Sequence, residues 1–284
     1  MRQAAIVSTA RTPIGKAYRG AFNNTSAQEL AGHAISAAIE RAGIAPETVE
    51  DVILGCAVQQ GTTGSNIGRQ GALRAGLPTS VPGQSMDRQC SSGLMAVATA
   101  AKQILVDGMQ VVIGGGVESI SLVQNEHLNN YRRQDPWIEK HRPGTYLPML
   151  RTAELVAERY GVSRERQDQM GAASQQRALH AQEHGIFAQE IAPIQVTTLK
   201  TNKETGEVSE FVQLLSHDEG IRPGTTEESL AGLRTVLKPG EFTAQPTVTA
   251  GNASQLSDGA SAQVLMDSGY AASLGLTPLG FTRA

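Results

Sequence analysis

Cysteine, aromatic residues and long apolar runs are all scarce in this chain, and each scarcity removes a class of protein. Two cysteines among 284 residues, Cys56 and Cys90, cannot build the disulfide framework of a small secreted domain, so a reducing compartment is the expectation. No apolar run of about twenty residues occurs, and the first residues lead directly into a strand pattern. Neither a membrane span nor a signal or transit peptide is therefore expected, and a cytoplasmic location follows as an expectation. Charge of either sign is also unremarkable: Lys+Arg 24 against Asp+Glu 27, with no basic stripe interleaved with aromatics. That pattern excludes nucleic acid and membrane as expected partners. Aromatics make up only 4 %, while 30 glycines suit close packing of helices on sheets, and 40 % apolar with 18 % charged residues is the composition of a soluble globular protein.

What is present is an alternation of strand and helix signals. Residues 4–9 read as a first strand, followed by a Pro/Gly loop. A helix then opens with the capping box Ser26-Ala27-Gln28-Glu29, carries Leu30, Ala34, Ile35, Ala38, Ile39 and Ala42 on one stripe, and ends at Gly43. Val52-Ile53-Leu54 marks a buried strand, residues 66–75 a short helix, 80–85 a strand entered through Pro82, and Val111-Val112-Ile113 another buried strand. This order indicates an α/β sheet covered by helices. After about residue 121 the chain becomes polar and turn-rich and holds its single Trp, Trp137. Helices are expected at 152–160 and 163–184, and edge strands at 191–200 and 207–215. This middle third reads as an insertion. The α/β pattern is expected to resume at Thr247-Val248-Thr249, with a strand at 260–266.

Cys90 is the candidate for chemistry. It lies in Arg88-Gln89-Cys90-Ser91-Ser92-Gly93, between a strand and a helix of small apolar residues expected to be buried by close neighbours. A thiol at a helix start faces unpaired backbone N–H groups and the positive end of the helix dipole, an arrangement that favours the nucleophilic thiolate. A small hydrophobe in the core is the competing reading for any lone cysteine. Strand–Cys–helix resembles the elbow of covalent acyl-transfer enzymes. Cys56, within Leu54-Gly55-Cys56-Ala57-Val58, reads as an inert core residue.

A covalent cysteine enzyme needs a base, and no histidine supplies one by its sequence context. His180 and His184 share a helical face but lack a third metal ligand, so no metal site is expected. His33 reads as structural, and His127, His141 and His217 fall in polar loops. Gly114-Gly115-Gly116 follows a strand but lacks the G-x-G-x-x-G spacing; a tight turn with close backbone approach is expected instead. Asn252-Ala253-Ser254, between Gly251 and Asp258-Gly259, fits equally well a ligand-holding polar island or ordinary turn capping.

Taken in order, these segments resemble the thiolase family of acetyl-CoA C-acyltransferases. The matching motifs are Thr9-Ala10-Arg11-Thr12-Pro13-Ile14-Gly15, Arg88-Gln89-Cys90-Ser91-Ser92-Gly93, Gly114-Gly115-Gly116-Val117-Glu118-Ser119 and Thr152-Ala153-Glu154. Arg222-Pro223-Gly224-Thr225-Thr226, Thr249-Ala250-Gly251-Asn252-Ala253-Ser254 and Asp258-Gly259-Ala260 complete the series. The resemblance implies an α/β fold: a thiolase-like N-terminal αβα half with an inserted α+β loop domain, the second half being absent. It assigns 1–121 and 245–270 to the nucleophile domain, 122–244 to the CoA-binding loop domain and 271–284 to a stub. It implies that Cys90 is acylated during reversible cleavage of a 3-oxoacyl-CoA. Arg222 and Ser229 would contact the nucleotide end of CoA, Ala250 and Ser254 the pantetheine arm, and Met149 the acyl pocket, with Pro148 replacing a polar residue of some members. Acetyl-CoA, 3-oxoacyl-CoA and CoA would be substrates, no separate cofactor would be needed, and the chain would form a homodimer or homotetramer.

The sequence also departs from the family. It stops where a second, similar half would begin, so a fragment or truncated frame is the expectation. Its residues include no Gly-His-Pro, whose His activates the nucleophile, no C-terminal Cys-x-Gly, and no Asn-Glu-Ala-Phe segment for the oxyanion hole. Phe281-Thr282-Arg283-Ala284 departs from the strand the family would place after Leu279. Loss of such groups costs orders of magnitude in rate. Impaired catalysis is expected, and the alternative role is a non-catalytic CoA-binding or subunit-interaction remnant.

Overall fold

The computed structural model describes residues 2–283; Met1 and Ala284, the ends of the expected first domain and last stub, lie outside the described residues. In chain order the elements are β1 (Ala4–Arg11), β2 (Gly15–Lys16), α1 (Ala27–Ala42), β3 (Asp51–Gly55), α2 (Ile67–Arg74), β4 (Gly83–Met86), α3 (Ser92–Lys102), β5 (Val111–Glu118) and α4 (Ile120–Val123). Then come α5 (Pro136–His141), α6 (Met149–Tyr160), α7 (Arg164–Glu183), β6 (Ile194–Thr201), β7 (Val208–Leu215), α8 (Glu227–Ala231), β8 (Ser257–Asp267), α9 (Ser268–Ser273) and β9 (Gly280–Phe281).

These elements fall into two compact units. The first holds the residues up to Leu128, Phe187–Glu219 and those from Leu256 onward; the second holds Asn129–Ile186 and Gly220–Gln255. The divisions differ from the expected ones at 121, 244 and 270 for physical reasons. The β6–β7 hairpin belongs with the first unit because Ile194, Val196 and Leu215 enter its core. Residues 245–255 belong with the second because the buried Glu154 carboxylate accepts from Thr247 N and Val248 N. The expected stub is not loose: Leu279 N donates to Ile6 O, and Gly280–Phe281 pairs with Ala5 and Ile6 as an edge strand.

The first unit is built on a seven-stranded mixed sheet in the order β4-β3-β5-β8-β1-β9, with β2 beside β8. β3 pairs parallel with β4 and β5, whereas β8 pairs antiparallel with both β5 and β1. No strand forms at Thr247–Val248; only an isolated bridge joins Thr235 to Thr249, and the sheet resumes at Ser257.

α1 forms as its pattern predicts. Ser26 Oγ accepts from Glu29 N at the start, and Gly43 ends the helix at φ 64 with its N–H donating to Glu40 O. Its small apolar stripe and Phe22, Leu30 and Ile35 bury one face of the sheet together with α2. α3 covers the other face with Ala96, Val97, Ala100, Ala101 and Ile104 against Ile53, Val112 and Leu265. This helix is not buried all round, contrary to its composition. Leu94 is 76 % exposed, and a groove of about 650 Å³ runs between α3 and the sheet past Ile6, Val97 and Leu105.

The second unit is helical. α6 ends at Gly161 in the left-handed region, and α7 follows from the cap Ser163, whose Oγ accepts from Arg166 N. α7 has no apolar stripe: among its twenty residues only Asp168 and Ala172 are buried.

Candidate active site and ligand-binding segment

Cys90 stands on a five-residue turn between β4 and α3. Gln89 holds the left-handed conformation at φ 52, a geometry that costs a non-glycine residue free energy unless its surroundings enforce it. Two groups enforce it. Gln89 N donates to Asp87 Oδ1 at 2.6 Å, and the buried Ser92 hydroxyl accepts from Arg88 N at 2.8 Å while donating to Gln89 O at 2.6 Å. Ser92 is thus both the first residue of α3 and the clamp on the turn before it. The result is an exposed thiol two residues before the helix.

A glycine floor brings the start of this helix close to the sheet. A Cβ on Gly55 would lie 2.1 Å from Ser92 C and 2.4 Å from Gly93 N, and one on Gly114 would lie 2.8 Å from Val97 Cα. Gly116 is less tight, its Cβ position lying 3.1 Å from Gly55 O and 3.3 Å from Gly93 Cα. Gly114-Gly115-Gly116 therefore serves close approach, as expected, but from within β5 rather than in a turn.

Cys56 behaves differently from Cys90. It is buried at the end of β3, and its thiol donates to Glu118 Oε1 at 3.4 Å. Burial, reinforced by the neighbouring carboxylate, pushes its pKa up to about 12. Glu118 also accepts from Ala57 N at 2.9 Å, fixing the loop after β3. Five of the six histidines have other occupations. His33 Nε2 lies 3.2 Å from Ala192 O, His141 stacks on Trp137, His180 and His184 pair with tilted rings, and His127 faces Glu126.

Cys90 lies in the first unit; the five expected CoA-contact residues lie in the second. Met149 is the exposed first residue of α6, after Pro148 as its cap. Ser229 is the third residue of α8 and completes a capping box: its Oγ accepts from Thr226 N, and Thr226 Oγ1 accepts from Ser229 N. Arg222 N donates to Gln175 Oε1 at 2.8 Å, leaving the exposed guanidinium unconstrained by that bond.

Ala250 and Ser254 are exposed on the turn that Asn252 organises. Asn252 Oδ1 accepts from Thr249 N, while Nδ2 donates to Asp168 Oδ1 and Thr247 O. Asn252 is therefore committed to holding its own loop, the capping alternative of the two. This loop packs on α8: a Cβ on Gly251 would meet Leu233 Cδ1 at 2.4 Å and Leu230 Cδ2 at 2.6 Å. The structure thus brings Ser229's helix together with the Ala250–Ser254 turn.

Asp168 escaped the sequence reading. Its buried carboxylate receives both Asn252 Nδ2 and, at 2.7 Å, Arg164 Nε. The available signal was an Arg–Asp pair four residues apart on a helix with no apolar stripe. A reading based on apolar periodicity treats such a helix as a solvated one.

Comparison with known proteins places this arrangement. The thiolase N-terminal domain matches residues 4–269. The 3-ketoacyl-CoA thiolase of Bacillus subtilis (strain 168) is 40 % identical over 280 residues, covering 98 % of this chain and 69 % of the relative. The peroxisomal 3-ketoacyl-CoA thiolase B of Mus musculus is 40 % identical over 281 residues, covering 98 % of this chain and 63 % of the relative. The crystal structure of the Bacillus anthracis acetyl-CoA acetyltransferase superposes with a TM-score of 0.83 at 35 % identity, covering 99 % of this chain and 69 % of that one. The chain therefore spans about two thirds of the length of these relatives. With its mixed α/β sheet, cysteine-bearing turn and helical second unit, this chain belongs to the thiolase family through that family's N-terminal domain.

Proposed function

We propose that this chain carries the nucleophile and CoA-binding parts of a thiolase-type acyltransferase. The observation that supports this most directly is Cys90, an exposed thiol on a strained and clamped turn, within a family match that runs through the sequence in order. In the degradative direction the Cys90 thiolate attacks the keto carbonyl of a 3-oxoacyl-CoA. The bond between the α-carbon and that carbonyl breaks, the departing carbanion takes a proton to leave as acetyl-CoA, and the acyl group stays on sulfur as a thioester. The thiol of a second CoA, losing its proton, then attacks that thioester and frees the Cys90 thiolate. In the synthetic direction an acetyl-Cys90 would be condensed with acetyl-CoA.

Arg222 and Ser229 would hold the nucleotide end of CoA, Ala250 and Ser254 the pantetheine arm, and Met149 would line the acyl pocket. CoA and its thioesters are substrates in this reading, and no further cofactor takes part. A cytoplasmic homodimer or homotetramer completes the proposal; among the described residues no helix is long and apolar enough to cross a membrane.

The 284 residues alone should acylate but turn over poorly, because they contain no Gly-His-Pro base and no second reactive cysteine of the Cys-x-Gly type. The test is incubation with acetyl-CoA followed by peptide mass analysis, beside an acetoacetyl-CoA thiolysis assay. An acetyl group on Cys90, absent from Cys90→Ser, is the expected result. Acetylation elsewhere or not at all sinks the nucleophile assignment. Thiolysis as fast as that of full-length relatives sinks the claim that further residues are needed. CoA binding without any acyl transfer would favour a non-catalytic CoA-binding remnant.

A further inference from the structure

The long helix α7 poses a physical question: it is stably placed without an apolar stripe, and the side chain it buries most deliberately is a carboxylate. Asp168 has a side-chain exposure of 4 %, and burying a charge costs several kcal/mol unless partners satisfy it. Such pairs contribute little to net stability compared with apolar packing; their directional bonds instead fix register.

Bonds made along one face of α7 lead to α8, to the Ala250–Ser254 turn and to the Gly220–Arg222 stretch. Arg164, having given Nε to Asp168, donates Nη2 to Leu230 O at 2.8 Å and Leu233 O at 3.0 Å, at the C-terminal end of α8. Asp168 receives Asn252 Nδ2 at 2.9 Å, the amide that organises the Ala250–Ser254 turn. A Cβ on Gly171 would contact Leu230 Cδ1 at 3.2 Å and Asn252 Cα at 3.4 Å, so the helix backbone lies directly beneath both segments. Gln175 accepts from Arg222 N at 2.8 Å and donates to Gly220 O at 3.4 Å. Residues 164, 168, 171 and 175 fall on one face of a helix, spaced by three or four.

We propose that this inner stripe of α7 is a positioning element for coenzyme A. Through Asp168 it holds the Ala250–Ser254 turn at a fixed distance from α8 and Arg222, so that the pantetheine and nucleotide contacts are presented in register. Arg164, Asp168 and Gln175 touch no ligand themselves; they act through Leu230, Asn252 and the Arg222 backbone. This inference rests on the CoA reading of those segments and adds the residues that set their geometry. A greasy stripe would allow the turn and α8 to slide on α7, whereas these five directional bonds allow one register.

The test is calorimetric titration of the purified 284-residue chain with CoA, using variants of Asp168, Asn252 and Gln175. Asp168→Asn keeps one acceptor oxygen for two donors, so either Asn252 Nδ2 or Arg164 Nε loses its partner, and CoA binding should weaken about tenfold or more; Asn252→Asp opposes two carboxylates, turns an oxygen towards Thr247 O and should weaken binding further. A second pair guards against misfolding. Gln175→Ala removes the acceptor for Arg222 N and should weaken binding about threefold, while Gln175→Glu keeps an acceptor and should restore it. Wild-type affinity in folded Asp168→Asn, or in Gln175→Ala where Asp168→Asn does not fold, overturns the positioning role. No CoA binding by the wild-type chain overturns the CoA reading of the segments, and the positioning role with it.

Discussion

The two faces of the central sheet are closed by different means. On one side α1 and α2 interlock with the sheet through Phe22, Leu30, Ile35, Leu54 and Met266, and the β6–β7 hairpin adds Ile194 and Leu215. On the other, α3 lies close to the strands because glycines and alanines let it, yet it leaves Leu94 exposed and the groove beside it open. The first face is filled for stability. The second is shaped to bring one helix start, and with it Cys90, close to the sheet. The contrast teaches that a helix of small apolar residues can signal close approach rather than complete burial.

Four measurements would sharpen or break this contrast. Leu30→Ala, on the filled face, should cost about 3 kcal/mol in urea unfolding, because a fully buried side chain leaves a cavity that neighbours cannot close. A loss no larger than a surface substitution would show that this face is not the main core. Gly55→Ala drives a methyl into the Ser92 backbone and should cost about 2 kcal/mol. It should also change the alkylation rate of Cys90, which a purely global destabilisation, matched by a control of equal cost elsewhere, would not.

The cysteines give the third measurement. At pH 8 iodoacetamide should modify exposed Cys90 in the folded chain and leave Cys56 untouched, since the Cys56 thiol keeps its proton up to about 12. The same shift has a sign in stability. Cys56 binds its proton more tightly folded than unfolded, so its contribution is complete below the ordinary value of 9.0 and is lost as pH rises towards about 12. Glu118→Gln should move that loss to lower separation, narrowing the window; an unchanged alkaline profile would mean the carboxylate does not act on the thiol. The smallest effect belongs to Leu94→Lys on the open face. Stability should change by no more than about 0.5 kcal/mol, while binding of a hydrophobic dye should fall. Destabilisation comparable to Leu30→Ala would show that the open face is covered in solution.

Much of this was legible before any coordinates. α1 follows from its stripe, its Ser26 cap and its Gly43 stop, and β3 and β5 from short runs of Val, Ile and Leu. The turn at Cys90 was legible because strand, cysteine and small-residue helix stand in one run. Three features were not. The exposure of α3 depends on how many layers cover the sheet, which a single helix's composition does not encode. The hairpin's place in the first unit rests on three long-range apolar contacts, invisible to a reading of local polarity. Asp168 was hidden because its partner Asn252 lies 84 residues away and only tertiary structure unites the two.

β8 carries a consequence for how the protein is made. Among the described residues this strand, Ser257–Asp267, is the only link in the sheet between β5 and β1, so the two sides of the sheet cannot join until β8 has been synthesised. Until then β1 and β5 each present an unpaired edge, the hazard that long-range strand pairing carries during synthesis. Assembly of the sheet should therefore be late and cooperative, with the long antiparallel ladder of β1 waiting for β8.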